Sequence, residues 1–163
     1  MGDLRIHEIG ASEFDEVWPL FQEVIARGDT YTYPADLPLE TARTMWTTAP
    51  ARCFIACVDD QVLGCYRLAP NQLGRGDHVA NCGYMVASSA RGHGVGAALC
   101  AHSLDEERRS GFLAMQFNMV VSTNTGAVRL WQRHGFEIVA TLPGAFRHAE
   151  LGFVDGYVMY RRL

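Results

Sequence analysis

Between Val79 and Leu99 the chain passes from an apolar run into an amphipathic one through Arg91-Gly92-His93-Gly94-Val95-Gly96, and this junction constrains the fold more than any other stretch. Val79 to Val86 has the character of a buried strand, Ser88-Ser89-Ala90 is prone to turn, and Ala97, Ala98 and Leu99 continue into a helical pattern. Three glycines spaced two apart let the backbone approach a ligand where a Cβ would obstruct it. The first N–H groups of a helix have no partner within it and lie at the positive end of its dipole. A pyrophosphate is the natural guest of such a strand, loop and helix.

A second strand–helix unit follows. Ala114 to Val121 is a short apolar run, and Ser122-Thr123-Asn124 is a helix-start signal. The helix reads Asn124-x-x-Ala127-x-x-Leu130-Trp131 and stops at His134-Gly135-Phe136, with glycine where a left-handed C-terminal residue is expected. Upstream, Leu4 to Ile9 alternates as a strand, and Ser12-x-x-Asp15 opens a helix that ends near Gly28. A short helix near Leu39 to Thr47 precedes a hairpin, Arg52 to Val58 and Val62 to Leu68. Strands at Phe136 to Thr141 and Val154 to Arg161 complete a β-α-α-β-β-β-α-β-α-β-β order.

In order and spacing, Arg91-x-x-Gly94-x-Gly96 followed by Asn124-x-x-Ala127-x-x-Leu130-Trp131-x-x-x-Gly135-Phe136 resembles the GNAT N-acetyltransferases, firmly from Val79 to about Leu142 and in outline over the whole chain. The resemblance implies an α/β (α+β) fold with a mixed, mostly antiparallel central sheet and helices on both faces. It implies acetyl-CoA as acetyl-donating cosubstrate and a small-molecule amine that attacks the thioester directly in a ternary complex. On this pattern Arg91, Gly92, His93, Gly94, Val95 and Gly96 hold the pyrophosphate. Unpaired backbone near Tyr84, Met85 and Val86 binds the pantetheine arm and the thioester carbonyl, Asn124 holds the pantetheine end, and Ala127 keeps its helix close. Tyr31 and Tyr33, in the loop that closes over the acceptor, are candidate substrate-binding residues together with Tyr84.

Two departures from the family pattern bear on mechanism. Trp131 stands where a tyrosine, the usual thiolate acid, is common, and an indole N–H is a poor acid. Neither central strand carries the glutamate that many members use as base; instead each has an asparagine, Asn81 and Asn118. A buried amide needs hydrogen-bond partners. The two either tie down strand ends or line the gap between strands and orient the amine or a relay water, which makes them the candidate catalytic residues, Asn118 ahead of Asn81. The Val79-to-Tyr84 segment with Phe117-Asn118 also resembles, more loosely, the fungal acetyltransferases that detoxify azetidine-2-carboxylate, and so implies an amino acid or cyclic amine as acceptor.

Two competing readings are a dinucleotide-dependent oxidoreductase and a non-catalytic acyl-CoA-binding regulatory module. Gly92-x-Gly94-x-x-Ala97 fits the dinucleotide fingerprint, but Phe117 to Val121 offers no acidic residue for a ribose. The regulatory reading draws on the missing tyrosine and glutamate.

Composition narrows the rest. A chain of 163 residues, 48% hydrophobic and 20% charged, suits a single domain over 1–163 with a sizeable core. No apolar run reaches membrane-span length and the first residues lack a signal-peptide layout, so a cytoplasmic location is expected. The net charge of −4, with basic residues scattered, gives nucleic acid no footprint. All 14 basic residues are arginine, which excludes lysine-based covalent chemistry. Cys53, Cys57, Cys65, Cys82 and Cys100 include no C-x-x-C pair and read as reduced thiols, with no metal site expected. A homodimer is the expected assembly.

Overall fold

The computed structural model describes residues 3–163. Its elements are β1 (Arg5–Ile9), α1 (Trp18–Arg27), α2 (Leu39–Thr47), β2 (Arg52–Val58), β3 (Gln61–Pro70), β4 (Val79–Val86), α3 (Val95–Arg109), β5 (Ala114–Val121), α4 (Thr125–Arg133), β6 (Glu137–His148) and β7 (Gly152–Arg162). This is the order that the sequence predicts. The first helix differs at its start: Ala11–Glu16 forms a 3-10 turn, and the α-helix begins only at Trp18. Pro19 explains the break, because a proline is tolerated in a first helical turn and disrupts an interior one.

The seven strands form one sheet in the order β1-β2-β3-β4-β5-β7-β6. Every neighbouring pair is antiparallel except β4 with β5. A dinucleotide domain is built on parallel strands in a doubly wound order, so this topology overturns the oxidoreductase alternative. Strands β6 and β7 are longer than the expected segments because β6 continues past Pro143-Gly144. It does so through a register shift between Leu142 and Phe146, and an edge strand tolerates proline there.

Successive strand residues point to opposite faces. On β3, Tyr66 hydrogen-bonds His102 of α3 at 2.8 Å, whereas Arg67 donates to the Met45 carbonyl of α2 at 2.8 Å. Helices α2 and α3 therefore cover opposite faces. Leu20, Phe21, Val24 and Ile25 of α1 are buried in the same core as Val95, Leu99, Cys100 and Leu104 of α3. The five cysteines are free and buried, and burial pushes the thiols of Cys53 and Cys100 up to about 12, which leaves them inert at neutral pH. Among the described residues no helix is long and apolar enough to cross a membrane.

Candidate active site

The site originates where β4 and β5 part. The two strands pair only at Val79–Ala114, Ala80–Met115 and Asn81–Gln116, and beyond that point they diverge. The β3–β4 ladder decides which backbone groups face the gap. Ala87 N–H donates to the Leu63 carbonyl at 2.9 Å, and the register continues unbroken through Cys65–Met85. Hydrogen-bonded pairs alternate in an antiparallel ladder. Met85 thus spends its N–H and C=O on Cys65, while Tyr84 and Val86 direct theirs into the gap. This corrects the expectation that Tyr84, Met85 and Val86 all offer free backbone; Met85 contributes a buried side chain to the wall.

One side of the gap opens into a cleft of about 580 Å³ bordered by the glycine loop and the start of α3. Gly94 caps α3 in the left-handed region (φ +81°), and a Cβ built there, or at Gly92, would meet nothing within 4 Å. That open space is the room a ligand needs. Ala98 makes the first helical bond, to the Gly94 carbonyl at 3.0 Å, so the N–H groups of Val95, Gly96 and Ala97 ahead of it lack intrahelical acceptors. Arg27, Arg91 and Arg133 stand around the cleft, and among the described residues no acidic side chain does. This donor set fits a pyrophosphate. His93 departs from expectation: its N–H is spent on the Ala90 carbonyl at 3.3 Å, and it lies outside the cleft lining. The turn before the loop is held by Glu23 of α1, which accepts from the Ser88 N–H (2.9 Å) and hydroxyl (2.6 Å). Those two bonds keep the Glu23 carboxyl below the usual range.

The other side is a smaller cleft of about 220 Å³. Tyr31, Tyr33 and Trp46 wall it, with the Tyr31 and Tyr33 rings 5.3 Å apart and Trp46 Nε1 donating to the Tyr33 hydroxyl at 3.2 Å. Tyr31 in turn donates to the Tyr84 carbonyl at 3.0 Å. Its ring lies over Gly83, where a Cβ would stand 2.8 Å from the hydroxyl. The Tyr84 phenol, expected to face the acceptor, turns instead toward α3, where it hydrogen-bonds Ser103 at 2.7 Å. Burial raises both phenols well above the usual tyrosine range, so neither is a base at neutral pH.

The asparagines also differ from the buried pair that the sequence implies. Asn81 is half-buried and donates to the Gln116 carbonyl at 3.0 Å, at the last paired position before the gap. Asn118 is exposed. A bulge places Asn118 and Met119 opposite a single residue of β7, since Phe117 pairs Met159 and Val120 pairs Tyr157. The bulge turns Asn118 to the cleft mouth, where it accepts from Gln116 Nε2 and donates to Asn71 Oδ1, both at 2.8 Å. Asn124 caps α4 by accepting from the Ala127 N–H at 3.4 Å.

Tyr84, Asn124, Ala127 and Trp131 line both clefts, so the two meet along one seam. Trp131 is buried there, its ring 4.6 Å from Tyr84 and 5.1 Å from Phe117. Thr30 also borders both clefts, and its buried hydroxyl has no partner. Sequence reasoning missed Thr30, Arg67, Gly83 and Arg133. Only Arg133 left a local signal, since it follows Gly126 and Leu130 on one helical stripe that faces the cleft.

The family model for the acetyltransferase (GNAT) family matches residues 14–136. The chain is 33% identical over 131 residues to the N-acetyltransferase aca1 of Schizosaccharomyces pombe, covering 80% of itself and 56% of that protein, so it spans little more than half of that relative. It is 32% identical over 111 residues to the L-amino acid N-acetyltransferase AaaT of Escherichia coli, covering 66% of each. Among solved structures, a GCN5-related N-acetyltransferase from Kribbella flavida superposes with a TM-score of 0.93 at 43% identity, covering 98% of both chains. The yncA protein from Salmonella typhimurium, solved with its cofactor acetyl-CoA, shares the fold (TM-score 0.84, 17% identity, 99% of this chain and 95% of that one). A single parallel pair that parts at a glycine-capped helix, and a model match over most of the chain, lead to one conclusion: the chain belongs to the acetyltransferase (GNAT) family.

Proposed function

We propose that this chain is an acetyl-CoA-dependent N-acetyltransferase that modifies the amine of a small molecule, an amino acid or a cyclic amine, by direct attack in a ternary complex. The observation that carries the reading is the meeting of two unlike clefts at the β4–β5 gap, one lined by arginines and free N–H groups, the other small and aromatic. Relatives named as an N-acetyltransferase and an L-amino acid N-acetyltransferase support it.

Acetyl-CoA, when bound, supplies a thioester whose carbon–sulfur bond breaks as the amine nitrogen bonds the acetyl carbon, one amine proton being lost and the sulfur leaving as the CoA thiol. The N–H groups of Val95, Gly96 and Ala97 hold the pyrophosphate with Arg91 and Arg133. Tyr84 and Val86 receive the pantetheine arm as a sheet edge receives a strand, and an N–H at that edge polarises the carbonyl where charge develops. Asn81 and Asn118 orient the amine. Among the described residues the acceptor cleft has no carboxylate or imidazole in its wall, so the amine proton leaves to water, and turnover rises with pH as the amine becomes neutral. Trp131 closes the seam by packing and donates no proton.

The same base-poor wall favours, as a second reading, a regulatory module that binds acyl-CoA without turnover. The working unit is a cytoplasmic homodimer, for which exposed Ile138 and Val139 on edge strand β6 offer apolar surface.

Thiol release from acetyl-CoA over a panel of small amines, with the acetylated product identified by mass, tests the reading. Acetyl-CoA is expected to raise the melting temperature and NAD to leave it unchanged. A shift with NAD alone would overturn the proposal, and acetyl-CoA binding without turnover on any amine would favour the regulatory module.

A further inference from the structure

The acceptor cleft contains one formal charge. Among the described residues Arg67 of β3 is the single charged side chain in its wall. It is half-buried, and its Nε–H bond to the Met45 carbonyl at 2.8 Å fixes the guanidinium plane. No carboxylate lies within 4.0 Å of it among the described residues. Of the other partly buried arginines, Arg27, Arg43 and Arg52 each pair with two acidic side chains, and Arg161, which pairs with none among the described residues, lies outside both clefts. A chain with 18 acidic residues thus leaves this partly desolvated cation without a counter-ion, at a place where a ligand can reach it. Desolvating an unpaired charge is costly, and a ligand anion removes that cost.

Strand register puts Arg67 opposite Gly83, the residue over which the Tyr31 hydroxyl sits on its way to the Tyr84 carbonyl. The cation therefore lies across the small cleft from the seam where the amine has to be. On the N-acetyltransferase reading, from which this inference starts, we infer that Arg67 is the specificity residue that binds a carboxylate on the acceptor, so that the substrates are free α-amino acids of small, uncharged side chain. A guanidinium matches a carboxylate with paired N–H donors. The amine then stands one carbon from the anchored group. The neighbouring cation also disfavours its ammonium form, which helps a cleft without a base. A second ammonium, as in a polyamine or a lysine-rich peptide, finds no acidic partner in the wall.

The test compares small neutral L-amino acids with their amides and their decarboxylated amines, by thiol release and by calorimetric titration into the CoA-bound protein. Wild type is expected to prefer the free acid by about 10–100-fold in kcat/KM, as the loss of a charged hydrogen-bonded pair implies. Arg67→Met should erase that preference mainly through KM, and Arg67→Lys should keep part of it, with the acetyl-CoA melting shift intact in both because Arg67 is outside that cleft. Equal turnover of acids and decarboxylated amines by wild type overturns the inference without any variant. So does retained preference in folded Arg67→Met, or a wild type to which amino acids neither bind nor react. If amino acids bind in an Arg67-dependent way and no amine is acetylated, the N-acetyltransferase reading fails and the carboxylate site stands.

Discussion

Tyr31 donates its phenolic hydrogen to the carbonyl of Tyr84 at 3.0 Å, so the loop that walls the small aromatic cleft is fastened to the strand that edges the gap. Gly83 makes the contact possible, because any Cβ there would stand 2.8 Å from the Tyr31 hydroxyl.

Tyr31→Phe should cost about 1 kcal/mol of stability, the net worth of such a bond. It should also raise the KM for the acceptor more than that for acetyl-CoA. Gly83→Ala should give the same kinetic split by displacing the ring while leaving its hydroxyl in the protein. Steady-state kinetics with each substrate varied in turn checks both. An acceptor KM unchanged in Gly83→Ala would show that this loop does not wall the acceptor.

The glycine loop yields a prediction about affinity. The Gly94 Cβ position faces open space in a cleft bordered by Arg27, Arg91 and Arg133. Gly94→Ala should carry only the backbone cost of a left-handed residue, about 1 kcal/mol. Gly94→Glu adds a negative charge where a pyrophosphate belongs. Wild type should gain about 2.7 kcal/mol of stability at a hundredfold excess of acetyl-CoA over Kd. The alanine variant should keep a measurable melting shift and the glutamate variant should lose it. Equal shifts in all three would rule the loop out as the cradle.

Glu107 of α3 is fully buried, and neither carboxylate oxygen has a hydrogen-bond partner among the described residues. Burial pushes its carboxyl up to about 7 from an ordinary 4.5, against a smaller opposing pull from Arg161. A folded value above the unfolded one means that the group's contribution is fully present below about 4.5 and is lost as pH rises through about 7. The loss is on the order of 3–4 kcal/mol, since a tenfold change in proton affinity is worth ~1.4 kcal/mol. Glu107→Gln should therefore melt higher than wild type at pH 8 and lose the advantage near pH 5. Melting curves across that range check it, and parallel profiles for the two proteins would contradict the assignment.

The central strands and the starts of the two helices that follow them are legible because their signals are local. Val79–Val86 and Ala114–Val121 have the bounds that their apolar runs suggest, and Gly94 and Asn124 cap the helices that follow. Arg67, Thr30 and Gly83 carry no such signal, since only sheet register and the packing of the Tyr31 loop bring them together. Asn118 was legible as a candidate and illegible as an exposed residue at the mouth of a cleft. An apolar run does not reveal a bulge, which depends on how β7 pairs with β5.

That exposure sharpens the prediction for Asn118. Its amide accepts from Gln116 and donates to Asn71, both half-buried partners at a cleft mouth where Asn118 itself is exposed, and Met119 behind it packs against Gly156. A surface network of this kind gives a structural role little to lose, so Asn118→Ala should change stability by no more than about 0.5 kcal/mol. If the amide orients the attacking amine or a relay water, the interaction strengthens only as the amine attacks. Turnover should then fall by about 10²-fold with acetyl-CoA affinity unchanged, the pattern of a contact made in the transition state. Asn118→Asp should regain part of the activity above neutral pH by offering a base to a cleft whose wall has none. Asn81→Ala serves as comparison, because its bond to the Gln116 carbonyl pins the last paired rung of β4 and β5 and its loss should lower stability as well as rate. Melting temperature, acetyl-CoA affinity and turnover measured on the same preparations separate the two residues, and an Asn118→Ala enzyme that is stable and fully active would remove Asn118 from the mechanism.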